Sequence, residues 1–205
     1  MDKSATVVID FETTGLSPGH GDRTIEVGAV LISDSRIIDR FQSLMNPEMR
    51  VSAFIEEFTG ITNRMLSSAP PIRDVMLGLR EFIGQHFLVA HNAAFDTKFL
   101  DAEFQRLNLQ RENQFGCSLL VSRRIYPEAP NHKLATLVNY KSLQTSGVHH
   151  RALADAEMTA HLWLQMIEDI KEDYGLPDVP FGLMQQLMKV PRKRVAEFIR
   201  KHQPA

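Results

Sequence analysis

Over the first hundred residues, apolar positions gather into short runs before helical spacing takes over. "ATVVIDFE" (5–12) is apolar on both faces until Asp10 interrupts it, the pattern of a central strand covered on both sides. "IEVGAVLI" (25–32) predicts a second strand and "RIIDRFQSL" (36–44) a third. Only "SDS" separates these two, so they are expected as an antiparallel hairpin. Residues 46–62 read as irregular or short-helical. "PIRDVMLGLREFIGQ" places Val75, Leu79, Phe82 and Ile83 at helical spacing, with Pro71 near its start. A short buried strand, "HFLVAHN", leads into the amphipathic helix "AAFDTKFLDAEFQRL". From Cys117 onward the pattern is helical and culminates in "ALADAEMTAHLWLQMIEDI". Phe54, Phe58 and the methionines are assigned to the core. Strands first, one strand–helix crossover, then helices imply an α/β fold, a mixed sheet flanked by helices. "DYGLPDVP" (173–180), with two prolines and a glycine, reads as a linker. The main domain is therefore placed at 1–172, with a linker and short helical basic tail at 173–205.

Composition adds exclusions. At 205 residues the chain suits one substantial domain, and 43% apolar with 23% charged residues is ordinary for a globular protein. No apolar run reaches the length of a membrane span, and "MDKSATVV" lacks a cleavable signal pattern. The single cysteine, Cys117, excludes an internal disulfide framework and a cysteine-cluster zinc site. A cytoplasmic location is expected. A net charge of −2 leaves nucleic acid open as a partner, provided that any basic footprint is local.

Three acidic features carry the candidate chemistry. Side chains alternate along a strand, so Asp10 and Glu12 share one face, about 7 Å apart, while Phe11 enters the core. Two like charges at close range destabilise a fold unless a cation sits between them. "LVAHNAAFD" repeats the design, a buried strand running through a polar turn into a helix that carries Asp96. Read alone, Asp96 also suits a first-turn carboxylate on the helix macrodipole. In "HHRALADAE", Asp155 sits beside the apolar stripe of Leu153, Ala156, Ala160, Trp163 and Leu164, and a carboxylate there needs a partner. His150 serves the same site only if it lies in the loop just before that helix, since five helical positions are about 140° apart.

In combination, "DFETTGL", "HNAAFD" and His150-x4-Asp155 resemble the three motifs of the DnaQ-like 3′–5′ exonucleases, in their DEDDh branch. The resemblance covers about residues 5–170. The sister branch has Tyr-x3-Asp, and no tyrosine occupies the ten residues before Asp155. The resemblance implies a ribonuclease-H-like fold and two divalent cations, Mg²⁺ or Mn²⁺, which suit carboxylate oxygens. It makes Asp10 the ligand shared by both ions, adds Glu12 and Asp155 to one, and gives Asp96 to the other, largely through water. His150 becomes the general base, an imidazole suited to neutral pH; His149 is a solvated neighbour. Thr13, Thr14, Gly15, Leu16 and Asn92 are implied to hold the terminal nucleotide. Gly15 permits a tight turn, and Leu16 is either a wedge against terminal bases or a buried turn residue. Thr59 in "FTGIT" departs from relatives that have histidine there. The implied substrate is the 3′ end of single-stranded DNA, with RNA as the alternative and a DNA polymerase as an implied partner.

The tail, "VPRKRVAEFIRKHQ", aligns Val195, Phe198 and Ile199 on one stripe with its basic residues mostly outside it. Such a helix docks on the domain and exposes its charges, or guides a nucleic-acid backbone.

Overall fold

The first apolar run becomes β1 (Thr6–Thr13), the middle strand of a five-stranded sheet ordered β3–β2–β1–β4–β5. The computed structural model describes residues 5–143 and 151–203. β2 (Thr24–Ser33) pairs antiparallel with β1 and with β3 (Arg36–Leu44). Asp34 and Ser35 turn between them at φ of 49° and 58°, both left-handed as a tight hairpin requires. β4 (Phe87–Ala90) and β5 (Phe115–Cys117) add on the other side in parallel. β5 escapes the sequence reading, because its three residues are too few to show a period and a helix follows at once.

Alternation along β1 divides the core. Val7, Ile9 and Phe11 face α3 (Ile72–Ile83) and α4 (Ala94–Arg106) in one cluster. Val8 faces the opposite cluster, built on α5 (Ser118–Ile125), α6 (Leu134–Tyr140) and the long α7 (Ala152–Tyr174). The segment between β3 and α3 holds two short helices, α1 (Ala53–Thr59) and α2 (Asn63–Ser67), capped by the hydroxyls of Ser52 and Thr62. Met45, Met76, Met158, Met166 and Met184 are buried as expected, but Met49 is exposed. Phe54 and Phe58 also contradict the core assignment, at 70% and 48% exposure; they stack on each other at 5.9 Å on the outer side of α1.

The tail is integral to this packing. α8 (Phe181–Leu187) covers the β5 edge: Gln185 donates to the Phe115 carbonyl at 3.1 Å, and Phe181 stacks on Phe87 at 4.1 Å. α9 (Val195–Arg200) buries Val195 and Ile199 in the cluster around α7, leaving Arg200 outside. Among the described residues, no helix is long and apolar enough to cross a membrane.

Among the glycines, Gly28 has the least room, where β2 meets the start of α7. A Cβ at Gly28 would sit 2.1–2.3 Å from Leu153 N, Ala152 C and Leu153 Cα, all helix backbone that has no rotamer to change. Gly28→Ala is therefore expected to cost about 1–3 kcal/mol, the usual range for overpacking, in urea unfolding followed by circular dichroism. An unchanged midpoint would mean that α7 is seated loosely.

Candidate active site

The end of β1 delivers Asp10 and Glu12 to the face on which α7 packs, and Phe11 to the opposite core. α7 brings Asp155 in its first turn. Carboxylate oxygens of Asp10, Glu12 and Asp155 all lie within 4.8 Å of one another, a group of three able to close around a metal ion. Asp96, in the first turn of α4, reaches the same place from the other side. Pairing of β1 with β4 ends at Val8 and Val89, and beyond it the Phe11 amide donates to the Asp96 carboxylate. Asp96 is 2% exposed, so it is far more than a solvated charge on a helix dipole.

Electrostatics at this point are on balance unfavourable to ionisation. Burial, then the charges of Asp96, Asp155, Glu12 and Glu26, hold Asp10 well above the usual carboxylate range. Burial and Asp155 push Glu12 up to about 7, with Glu26 adding to this and Arg151 opposing it. Asp96 is pushed up to about 8, chiefly by burial and against the backbone hydrogen bonds it accepts. Carboxylates so arranged accept a hard divalent cation readily, since the cation removes both the repulsion and the desolvation cost.

The geometry depends on residues that the sequence reading passed over. Glu26, fully buried on β2, lies directly opposite Glu12 in the strand register. Its carboxylate accepts Nε and Nη2 of Arg151, the Ala152 amide at 3.1 Å and Gln42 Nε2 at 3.0 Å. It thus caps α7 and fixes the helix one turn before Asp155. An acid inside an apolar strand was the available signal, because a buried charge demands a partner. The register of β1 and β2 also slips between Glu12 and Thr13, a bulge at the point where the strand must turn aside.

Beyond the bulge, residues 13–16 form one wall of a cavity of about 660 Å³ whose lining includes Asp10, Glu12, Asp96 and Asp155. Thr13 Oγ1 donates to the Gly15 carbonyl at 2.6 Å; Thr14 Oγ1 bonds Asp22 and accepts the Arg23 amide. Gly15 is needed for space rather than for a left-handed turn: a Cβ there would lie 2.4–2.6 Å from the Asp22 carboxylate, which accepts the Ser17 amide. Arg23 continues the chain of contacts to Glu103 of α4 by a two-pronged ion pair, tying this wall to the helix that carries Asp96. Leu16, at 76% exposure, is no buried turn residue. It projects at the cavity's rim, and Phe54 and Phe58 also line that cavity. Thr59 lines it too, but its hydroxyl is engaged by the Ile55 carbonyl and the Ile61 amide.

Asn92 lines the cavity at φ 72°, a left-handed conformation that asparagine tolerates better than most residues. Beside it, His91 places Nε2 3.0 Å from the His132 carbonyl and Nδ1 2.8 Å from Ser118 Oγ. A carbonyl only accepts, so Nε2 carries the proton and Nδ1 accepts from the serine. Burial lowers the His91 pKa to about 4, which suits a neutral structural imidazole. His149 and His150 lie outside the described residues; α7 begins at Ala152, two positions after His150.

Residues 7–163 match the RNase T family, described as exonuclease. The chain belongs to this exonuclease family, in its DnaQ-like 3′–5′ group. It is 43% identical over 175 residues to DNA polymerase III PolC-type of Bacillus subtilis (strain 168), and 41% identical over 167 residues to that of Bacillus cereus. These stretches cover 84% and 81% of this chain but 12% of either relative, so the chain spans about an eighth of the length of the curated relatives it matches. Among solved structures it is similar to exonuclease X in complex with 5′ overhanging duplex DNA (TM-score 0.70, 24% identity, 89% of this chain and 99% of that one). It is similar also to the nuclease domain of 3′hExo, a DEDDh family member bound to rAMP (TM-score 0.69, 23% identity, 82% and 94%). These likenesses establish the ribonuclease-H-like fold.

Two outcomes test the site. An acid whose folded pKa is raised is favoured protonated, so the metal-free protein loses stability as pH rises, for Glu12 between about 4.5 and about 7. For Asp96 the window runs from 3.8 to about 8. The difference in Tm between Mg²⁺ and EDTA should therefore widen from pH 5 to pH 8, and Asp10→Asn should narrow it. A difference independent of pH would contradict the shared cluster. Glu26→Gln, which removes the charge that the partly exposed Arg151 pairs with, should cost about 1.5–3 kcal/mol, the usual worth of hydrogen bonds to a charged group, measured by chemical denaturation.

Proposed function

We propose that this chain is a divalent-metal-dependent 3′–5′ exonuclease that hydrolyses phosphodiester bonds from the 3′ end of single-stranded DNA and releases nucleoside monophosphates. The observation that carries this reading is the group of three carboxylates, Asp10, Glu12 and Asp155, on the wall of a cavity whose rim is apolar. The donor set fits Mg²⁺ or Mn²⁺: it offers only carboxylate oxygens, and a cation would relieve the crowding that raises the pKa values of Asp10 and Glu12. Bound there, such ions activate an attacking water and stabilise the departing oxygen. Asp10, Glu12 and Asp155 are assigned to hold one ion, and Asp10 with Asp96 a second. His150 is assigned to accept the proton of the attacking water. Thr13, Thr14, Gly15 and Asn92 are assigned to the terminal nucleotide, with Leu16 against its base.

The PolC-type relatives are named as DNA polymerases, which favours a proofreading role beside a polymerase. An RNA substrate is the second reading, supported by the fold neighbour bound to rAMP. Matched 5′-labelled DNA and RNA oligomers decide between them. A descending ladder of labelled fragments is expected, strongest on DNA; immediate release of labelled mononucleotide would reverse the polarity, and faster RNA decay would change the substrate. Asp10→Asn or Asp155→Asn should abolish cleavage in saturating Mg²⁺. His150→Ala should lose about 10²–10⁴ in rate, the usual worth of a positioned base, and His149→Ala far less. A crippled His149→Ala with an active His150→Ala would exchange their roles.

A further inference from the structure

The structure leads a line of cations away from the acids. α5 begins behind the cavity's lining, where the buried Ser118 hydroxyl meets His91, itself a lining residue. It ends in Arg123 and Arg124. Ser118 to Arg123 is about 7.5 Å along a helix axis. The loop between α8 and α9 lies across Arg124, whose Nε donates to the Val190 carbonyl at 3.2 Å and Nη1 to the Leu120 carbonyl at 2.9 Å. Two carbonyls thus hold a guanidinium that would ordinarily find a carboxylate. Arg192 and Lys193 follow in the same loop. Among the described residues, Arg123, Arg124, Arg192 and Lys193 form no ion pair with a carboxylate. Arg123, Arg192 and Lys193 are exposed.

Like charges gathered this way repel. Burial, then Arg123 and Arg192, work against the charge on Arg124, and Arg123 also bears on His91. The fold does not require the concentration. α9 docks through Val195 and Ile199, and the ion pairs of Glu197, the sole acid in residues 181–203, go to Arg194 and Lys201. A cluster of unneutralised cations on the His91 side of a nuclease cavity matches a polyanion that leaves that cavity.

We propose that Arg123, Arg124, Arg192 and Lys193 form a phosphate track that holds the strand 5′ of the scissile bond across α5 and the tail. The proposal rests on the nuclease reading above and adds where the rest of the strand runs. The track lies beyond the terminal nucleotides, so it engages long strands and misses very short ones.

The test uses the full chain in EDTA, where binding is read without turnover, with 5′-fluorescein dT20 and dT3 as probes in anisotropy titrations. Arg123→Gln/Arg192→Gln/Lys193→Gln leaves Arg124, which anchors the loop, in place. Three lost phosphate contacts should weaken dT20 binding by about tenfold or more at low salt and reduce the slope of log K against log[salt] by about 2, at about 0.7 per contact. Binding of dT3 should change by less than about twofold on the same reasoning. A matched control, Arg36→Gln/Arg73→Gln/Arg80→Gln, removes three exposed arginines elsewhere. Unchanged dT20 affinity and slope in the track variant overturn the proposal, as does an equal loss in the control or a wild type that does not bind dT20. Should the triple variant melt early, Arg192→Gln/Lys193→Gln should give about two-thirds of the slope change, and none would again overturn it. A wild type that binds dT20 through the track yet fails to cleave with Mg²⁺ would instead refute the catalytic reading.

Discussion

The structure turns on a concentration of negative charge at the end of its central strand. Asp10 is crowded by the charges of Asp96, Asp155, Glu12 and Glu26, and its partial burial costs it part of its hydration. Glu12 and Glu26 face each other across paired strands, where like charges destabilise a sheet. One of these conflicts is resolved within the protein, for Glu26 is taken up by Arg151, Gln42 and the Ala152 amide. The crowding of Asp10 and Glu12 would be relieved by a bound cation, and this division separates the acid that builds the site from the acids assigned to work in it.

The same contacts explain why α7 lies where it does. Gly28 lets the helix backbone rest directly on β2, and Glu26 caps and pairs its first residues. Asp155 follows one turn later, so its position is set by two residues of the strand next to β1. On the other side, Thr14, Arg23 and Glu103 join the turn after β1 to α4 and hence to Asp96. The acids are thus carried by three elements, β1, α4 and α7, and each helix is tied to the sheet or to the turn after β1 by polar contacts that burial makes exacting.

Much of this was legible in the chain. β1, β2 and β3 follow from apolar runs bounded by short polar turns, and α3, α4 and α7 from helical spacing. The acids could be named because they interrupt apolar patterns at strand ends and helix starts. What the sequence hid has physical reasons. β5 is three residues long and gains its place by pairing, which no local pattern reports. Phe54 and Phe58 look like core residues, and only the fold shows α1 presenting them outward beside the cavity. Gly15 suggested a tight turn, whereas its requirement is room for Asp22, seven residues away and invisible to turn chemistry. Glu26 did announce itself, as a lone acid in a buried strand, but its partner Arg151 is 125 positions distant.

The central claim is that these carboxylates are held partly protonated until divalent cations bind. Calorimetric titration of Mn²⁺ near pH 6.5, repeated in buffers of different ionisation enthalpy, measures the protons released per ion bound. With Glu12 near 7, Asp96 near 8 and Asp10 raised beside them, binding should release about one proton or more, and fewer as the pH is raised above 8. Heats that do not depend on the buffer would mean that the acids are already ionised in the free protein, and would contradict the account.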